Sequence, residues 1–103
     1  MSQHITRRKE LRAIVDINEK IAQTMDQIIA RIFRKDPADI AAHHELRMKE
    51  DLNANSKHYF PIIAAFEEEY GILVDYHMFQ YSATTVASAI EYITAEYNKQ
   101  KAQ

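Results

Sequence analysis

LRAIVDINEKIAQTMDQIIARIFR, residues 11–34, is the stretch that most clearly indicates a fold class. Its apolar side chains recur every three or four residues, with a gap at Asn18, which is the spacing of an amphipathic helix. Because neither proline nor glycine interrupts the pattern, it predicts one helix of about 28 residues from Arg7, or two helices that meet near Asn18. Asp36 ends this element, because a residue that precedes proline is driven out of the α conformation.

Glycine and cysteine usage excludes several other classes. The chain has 103 residues, with one glycine, two prolines and no cysteine. Turn-rich β sandwiches and barrels need glycine repeatedly at positive φ and are disfavoured, whereas disulfide scaffolds and cysteine-based sites are excluded. With 47% hydrophobic residues, we expect one packed all-α domain. The sequence shows no apolar run of bilayer length and no signal segment, so we expect a cytoplasmic monomer without stable membrane insertion.

The middle of the chain predicts a long loop and then a second main helix. Residues 36–55 lack sustained periodicity and are predicted to be the loop. Helical spacing runs over residues 59–70 and stops at Gly71. Glycine directly after the last apolar position is typical of the left-handed residue that ends a helix.

Two more helices complete the expected architecture. One short helix is predicted within residues 75–82. Thr84 or Thr85 is expected to cap a last helix that extends to Tyr97. The prediction is a small four-helix bundle of three main helices and one short helix, with a long first loop and an extended N-terminal helix. The N-terminal extension, the bundle domain and a frayed tail are expected over residues 1–19, 20–97 and 98–103.

Three segments occur in an order and spacing typical of one family. They are DLNANS at 51–56, AFEEEYGI at 65–72 and TTVASAIEYI at 84–93. They resemble the D-L-G-A-D-S, A-L-E-E-E-F-G-I and T-T-V-G-D-A-I-D-Y-I segments of acyl carrier proteins. The resemblance covers about residues 20–97, and the ordered set is more specific than any one segment.

The resemblance implies a four-helix bundle that carries 4′-phosphopantetheine on Ser56, at the start of the second helix. The arm holds an acyl group as a thioester, and tethering raises the concentration of that group at a partner's active site. The implied partners are a phosphopantetheinyl transferase and acyl-transferring or acyl-condensing enzymes of lipid or secondary-metabolite synthesis. The chain itself would not be an enzyme, and a peptidyl or aminoacyl carrier is a close variant. A phosphodiester on Ser56 would meet free backbone N–H groups and the positive end of the helix dipole.

The chain departs from the family around Ser56. Asn55 and Lys57 stand where the family has aspartate and leucine, and His58 replaces an acidic residue. Ordinary carriers present an acidic second helix to basic partner patches, so a cation here weakens that attraction. The residues expected to dock partners are Asn55, Lys57, His58, Glu67 and Glu68. The same departures support an alternative of another class, a carrier-like helical interaction module without a prosthetic group.

Pro61 conflicts with a regular second helix. In a helix that starts at Ser56, Pro61 lacks an amide hydrogen and clashes with the Lys57 carbonyl, at a cost of roughly 3 kcal/mol. The sequence therefore predicts either a kink at Phe60-Pro61 or a helix that begins at Pro61. Asn53 replaces the family's loop glycine, and asparagine tolerates the left-handed conformation better than most residues.

An acyl pocket between the helices is a further expectation. The residues assigned to it are Phe60, Ile63, Ala64, Met78 and Phe79. The neighbouring rings of Tyr59, Tyr76 and Tyr81 are expected to narrow it.

Other kinds of site are disfavoured. His43 and His44 are adjacent, so their side chains diverge and no metal site is expected. His58 lies two residues from Ser56, on a different helix face, which disfavours a serine–histidine nucleophile. Residues 7–12 carry four basic side chains but no aromatic ones, so nucleic-acid binding is not expected.

Overall fold

The computed structural model describes residues 2–102, and it describes side chains from Ile17 onward. Five helices lie within residues 2–102. In chain order they are α1 (Ser2–Phe33), α2 (Pro37–Ala42), α3 (Ser56–Tyr70), α4 (Tyr76–Ser82) and α5 (Val86–Lys101). These residues contain no strand, and one isolated antiparallel bridge joins Arg47 to Thr85. The all-α class is confirmed. The predicted count of four helices is wrong, because a fifth lies in the segment predicted as loop.

α1 is a single helix that passes through Asn18, so the two-helix alternative is wrong. It ends at a left-handed residue, Arg34, which has a φ of 58°. Lys35 N–H then donates to the Ala30 carbonyl oxygen at 2.8 Å. This is the terminal bond of a Schellman motif, here with arginine at the position that glycine usually takes.

The short helix α2 begins at the proline that was predicted only to end α1. Asp36 is its N-cap, and the Asp36 carboxylate accepts the Ala38 N–H at 2.8 Å. Pro37 occupies the first helical position, where its fixed φ suits the helix and no intrahelical amide bond is lost. The buried side chain of Ile40 anchors α2 in the core. The Asp-Pro pair thus separates two helices instead of opening a long loop.

α3 begins at Ser56 and contains Pro61, so a helix that starts at Pro61 is wrong. Because proline has no amide hydrogen, the Lys57 carbonyl lacks its helical donor. At the other end, Gly71 has a φ of 64°, and its N–H donates to the Glu67 carbonyl oxygen at 3.0 Å. Gly71 therefore ends α3 as the sequence predicted.

Residues 43–55, here named the cover segment, lie over the start of α5. Val86 N–H donates to the Leu46 carbonyl oxygen at 3.0 Å. The next amide, that of Ala87, donates to the His44 carbonyl oxygen at 2.9 Å. These are amides that have no intrahelical partner at a helix start, so the cover segment satisfies them from outside the helix.

The cover segment is itself packed into the core. Met48 is fully buried and Leu52 nearly so, and Met48 N–H donates to the Thr84 carbonyl oxygen at 2.9 Å. Asn53 has a φ of 57°, the left-handed conformation that asparagine was expected to tolerate. The largest fully buried side chains of the whole core are those of Tyr59, Phe66, Phe79, Ile21, Met25, Ile29, Ile40, Met48, Ile62, Ile93 and Val86.

The last helix is longer than predicted. α5 continues past Tyr97 to Lys101, through residues expected to form a frayed tail. Gln100 Oε1 accepts the Leu73 N–H at 2.8 Å, and Gln100 Nε2 donates to the Leu73 carbonyl oxygen at 2.7 Å. Lys101 Nζ donates to the Gly71 carbonyl oxygen at 3.3 Å. The end of α5 is therefore tied to the connector between α3 and α4.

Candidate functional site

Ser56 is the first residue of α3, and its side chain is exposed. Asn55 Oδ1 accepts the Lys57 N–H at 3.2 Å, and the His58 N–H donates to the Asn55 carbonyl oxygen at 2.9 Å. The expectation of free backbone amides at this helix start is therefore corrected, because Asn55 already takes two of them. The positive end of the helix dipole and the exposed Lys57 ammonium remain to attract an anion at Ser56.

Asn55 and His58 form a reciprocal cap. Besides the bonds that Asn55 accepts, His58 Nδ1 accepts the Asn55 N–H at 3.0 Å. The His58 ring also lies against Phe33 of α1, with 4.6 Å between the ring centroids. Two of the residues expected to dock partners thus stabilise the start of α3. A capping box usually has glutamate or glutamine at the third helical position. Because this position holds histidine, the sequence did not predict that His58 would cap the helix.

Two aromatic side chains lie beside Ser56. The Tyr76 hydroxyl donates to the Ser56 carbonyl oxygen across 3.4 Å, a long and therefore weak bond. Phe60, one turn after Ser56, stacks on Tyr76 with 4.4 Å between centroids and 19° between ring planes. The sequence placed Tyr76 only at the edge of an acyl pocket. Its proximity to Ser56 depends on how α4 packs on α3, for which local sequence carries no signal.

The residues predicted for an acyl pocket lie in different surroundings. Ile63 and Phe79 are buried in the core, where the Phe79 ring meets Tyr59 edge-on with centroids 6.0 Å apart. Phe60, Ala64 and Met78 are exposed. The structure thus divides the five between the core and the surface.

Glu67 and Glu68, also expected to dock partners, differ in what they contact. Glu67 Oε2 accepts the Val74 N–H at 2.9 Å and so ties the last turn of α3 to the connector that follows. Glu68 is exposed on the rim of a groove of about 510 Å³ between α1 and α3. The other residues that line the groove are Thr24, Gln27, Ile28, Arg31, Ala65 and Glu69. This groove joins residues far apart in the chain and was not predicted.

Tyr59 lies in the first turn of α3, beneath the exposed start of the helix. Its ring is fully buried, and among the described residues its hydroxyl is the one buried side-chain polar atom without a hydrogen-bond partner. Burial raises the pKa of Tyr59, because the phenolate would lose its hydration. An unpaired buried hydroxyl lowers stability by about 1–3 kcal/mol.

The histidines contact carboxylates in separate pairs. His44 Nε2 lies 2.7 Å from Asp26 Oδ1 and joins the cover segment to α1, whereas His43 Nδ1 lies 3.0 Å from Glu45 Oε2 on the surface. In the part of the chain with described side chains, no three histidine, aspartate or glutamate residues gather as a metal-binding group. His44 thus links the cover segment to α1 through its contact with Asp26.

Whether the helices can cross a bilayer depends on their length and composition, which are properties of the chain itself. Across residues 2–102, none of them combines the length and the apolar composition that a bilayer crossing requires. Comparison of the chain with protein-family models, with curated proteins and with solved structures gives no match.

Proposed function

We propose that this chain is an acyl carrier protein, with 4′-phosphopantetheine attached to Ser56. The observation that carries the proposal is the position of Ser56. Its exposed hydroxyl is at the first residue of α3, directly after the DLNANS segment that resembles the attachment segment of the family. A short helix, α4, and a longer one, α5, follow in the order that the resemblance implies.

The residues around Ser56 fit a phosphodiester. Lys57 is the adjacent residue and supplies a positive charge, and the start of α3 adds the positive end of a helix dipole. The Tyr76 hydroxyl lies 3.4 Å from the Ser56 carbonyl oxygen. It is therefore a second hydrogen-bond donor, besides the Lys57 ammonium, close to the attachment residue. The arm, when attached, supplies the thiol that holds the acyl group. The chain's own residues position the serine and leave the chemistry to partner enzymes.

Intact mass measures this proposal directly. The chain is expressed with and without a broad-specificity phosphopantetheinyl transferase, and the intact mass of the purified protein is measured in both cases. We expect one prosthetic-group increment in the wild type and in Ser82→Ala, a matched control at the end of α4. Ser56→Ala should show none. The absence of an increment in folded wild-type protein, with several transferases, would overturn the carrier function.

A carrier-like interaction module without an arm is the second candidate. The Asn55–His58 cap favours it, because this cap already takes the backbone N–H groups of Lys57 and His58. The outcome that contradicts the carrier in the mass experiment is the one expected for this module. The two candidates are thereby separated by a single measurement.

A further inference from the structure

One side of α3 is exposed and nearly free of charge. Lys57, Pro61, Ala64 and Glu68 are exposed and follow at intervals of three and four residues, so they lie along one side of the helix. Between Lys57 and Glu67 the sequence holds no aspartate, glutamate, lysine or arginine, over a distance of about 15 Å along the axis. The Ser56 end of this surface is therefore positive, and its middle is uncharged.

An exposed aromatic ring borders this surface. Phe60 is 60% exposed, although one face of its ring stacks on Tyr76. The Tyr76 hydroxyl in turn makes its long bond to the Ser56 carbonyl oxygen, so both rings have a partner on α3 or α4. A ring already held in place loses little freedom when a partner covers it, and such preorganised aromatic side chains are typical centres of protein interfaces.

The charges close to this ring favour one type of partner. Lys57 and the positive end of the α3 dipole both attract a carboxylate. Asp75, the acidic residue just before α4, accepts the Met78 N–H at 2.9 Å and thereby caps its own helix. A partner with a basic patch would place a cation against Lys57, which is unfavourable.

We propose that Lys57, Phe60, Pro61 and Ala64 form a docking face for a protein that presents an apolar side chain flanked by carboxylates. The apolar side chain would lie against Phe60 and the small surface of Pro61 and Ala64, and a carboxylate would pair with Lys57. The inference rests on the proposed function in one respect: the partner would be an enzyme that acts on the group carried at Ser56.

Two synthetic helical peptides test the docking face on the full, unmodified chain. Each is about 20 residues long, with a central leucine pair flanked by glutamates in one peptide and by lysines in the other. In NMR titrations at fixed ionic strength, we expect the glutamate peptide to bind at least about tenfold more tightly. Its binding should shift the amide resonances of residues 57–64.

Substitutions assign the effect to these side chains. Lys57→Glu should reverse the peptide preference, and Phe60→Ser should weaken binding of the glutamate peptide about tenfold. Lys99→Glu makes the same charge change on α5 and should leave the preference unchanged. The docking face is overturned if the lysine peptide binds equally well, if neither peptide shifts residues 57–64, or if Lys99→Glu acts like Lys57→Glu.

The test is independent of the arm. Ser56→Ala should bind the glutamate peptide as the wild type does, although it gains no mass increment. Peptide binding without any increment would leave the docking face standing and overturn the carrier function. A normal increment without the peptide preference would do the reverse.

Discussion

The starts of α3 and α5 use the same local chemistry and have opposite surroundings. Each follows an extended capping residue, Asn55 or Thr85. In each case the side chain of the cap accepts a backbone N–H from the first turn, that of Lys57 or of Ser88. Each helix start is therefore capped by the residue that directly precedes it in the sequence.

The difference lies in what covers the helix start. The first two amides of α5, those of Val86 and Ala87, donate to carbonyl oxygens of the cover segment, and Val86 is fully buried. At α3 the first two residues, Ser56 and Lys57, are exposed. Of these two helix starts, only that of α3 is open, and the modification and the docking proposed above both place a partner there.

Removal of the cover's main anchor should have the largest effect. Met48 is fully buried, so Met48→Ala should lower the free energy of unfolding by about 2–5 kcal/mol through lost burial and a cavity. In hydrogen exchange, the amides of Val86 and Ala87 should lose protection more than those of Lys57 and His58. Met78→Ala, at a 53% exposed position, is the control and should change stability by less than about 0.5 kcal/mol. Equal loss of protection at both helix starts would contradict the role given to the cover segment.

The two caps offer the next comparison. Thr85→Ala and Asn55→Ala should each cost about 0.5–2 kcal/mol of unfolding free energy, measured by urea denaturation. We expect the larger loss for Thr85→Ala, because Thr85 is partly buried and its Oγ1 also bonds Ser88 Oγ at 3.0 Å. Thr85→Ser and Asn55→Asp keep a capping oxygen and should retain most of the stability. A larger loss at Asn55 would show that the open helix start is the more constrained of the two.

At the start of α3, a substitution of Tyr59 should raise the free energy of unfolding, whereas the substitutions above lower it. Tyr59→Phe removes a buried hydroxyl that has no partner and should raise stability by about 1 kcal/mol. The pKa of Tyr59 is raised in the folded state, so the unfolded state ionises first as pH rises. The stability that the neutral tyrosine contributes is therefore full below about pH 10 and is lost as pH rises through the raised pKa. The phenylalanine variant should therefore lose less stability in alkaline denaturation.

A matched tyrosine provides the control for that variant. The Tyr70 hydroxyl shares a hydrogen bond with Thr24 Oγ1 at 2.8 Å, so Tyr70→Phe should cost about 0.5–1.5 kcal/mol. If Tyr59→Phe destabilised the protein as much as Tyr70→Phe, the Tyr59 hydroxyl would have a partner after all.

Asp51, in the cover segment, should show the smallest effect. The Arg47 N–H donates to Asp51 Oδ2 at 2.8 Å, and this bond, with the Arg47 guanidinium, lowers the pKa of Asp51. Its contribution to stability is therefore present above the ordinary aspartate value and lost as pH falls through the lowered pKa. Asp51→Asn should flatten the acid limb of the stability curve slightly, because the group is exposed.

NMR titration of the Asp51 carboxyl carbon measures the shift directly. Arg47→Ala keeps the backbone donor and should retain most of the lowered pKa, since that bond is the larger cause. Full return to the ordinary value in Arg47→Ala would assign the shift to the guanidinium instead.

Much of the fold could be predicted where the cause is local. Gly71 ends α3, Thr85 caps α5 and Asn53 takes a left-handed φ, and each effect acts within about one helical turn. α2 was missed because Asp36-Pro37 is equally suited to follow one helix and to begin another. The apolar Ile40, read as a loop residue, is the anchor of that helix.

Less of the candidate site could be predicted. The sequence placed Ser56 at a helix start, but it carried no signal for the bond by which His58 Nδ1 accepts the Asn55 N–H. It placed Phe60 in an acyl pocket, whereas the ring stacks on Tyr76 at the surface. Each of these differences depends on how α3 packs against α1 and α4.

The sequence by itself determined an all-α chain, the ends of α1 and α3 and the cap of α5. Caps and left-handed residues work through backbone groups a few positions away, so local sequence is enough. Only the tertiary structure decided that the start of α5 is covered and that of α3 is open. The carbonyl groups that bond Val86 and Ala87 lie about 40 residues earlier in the chain, and their approach depends on burial of Met48 and Leu52 in the shared core.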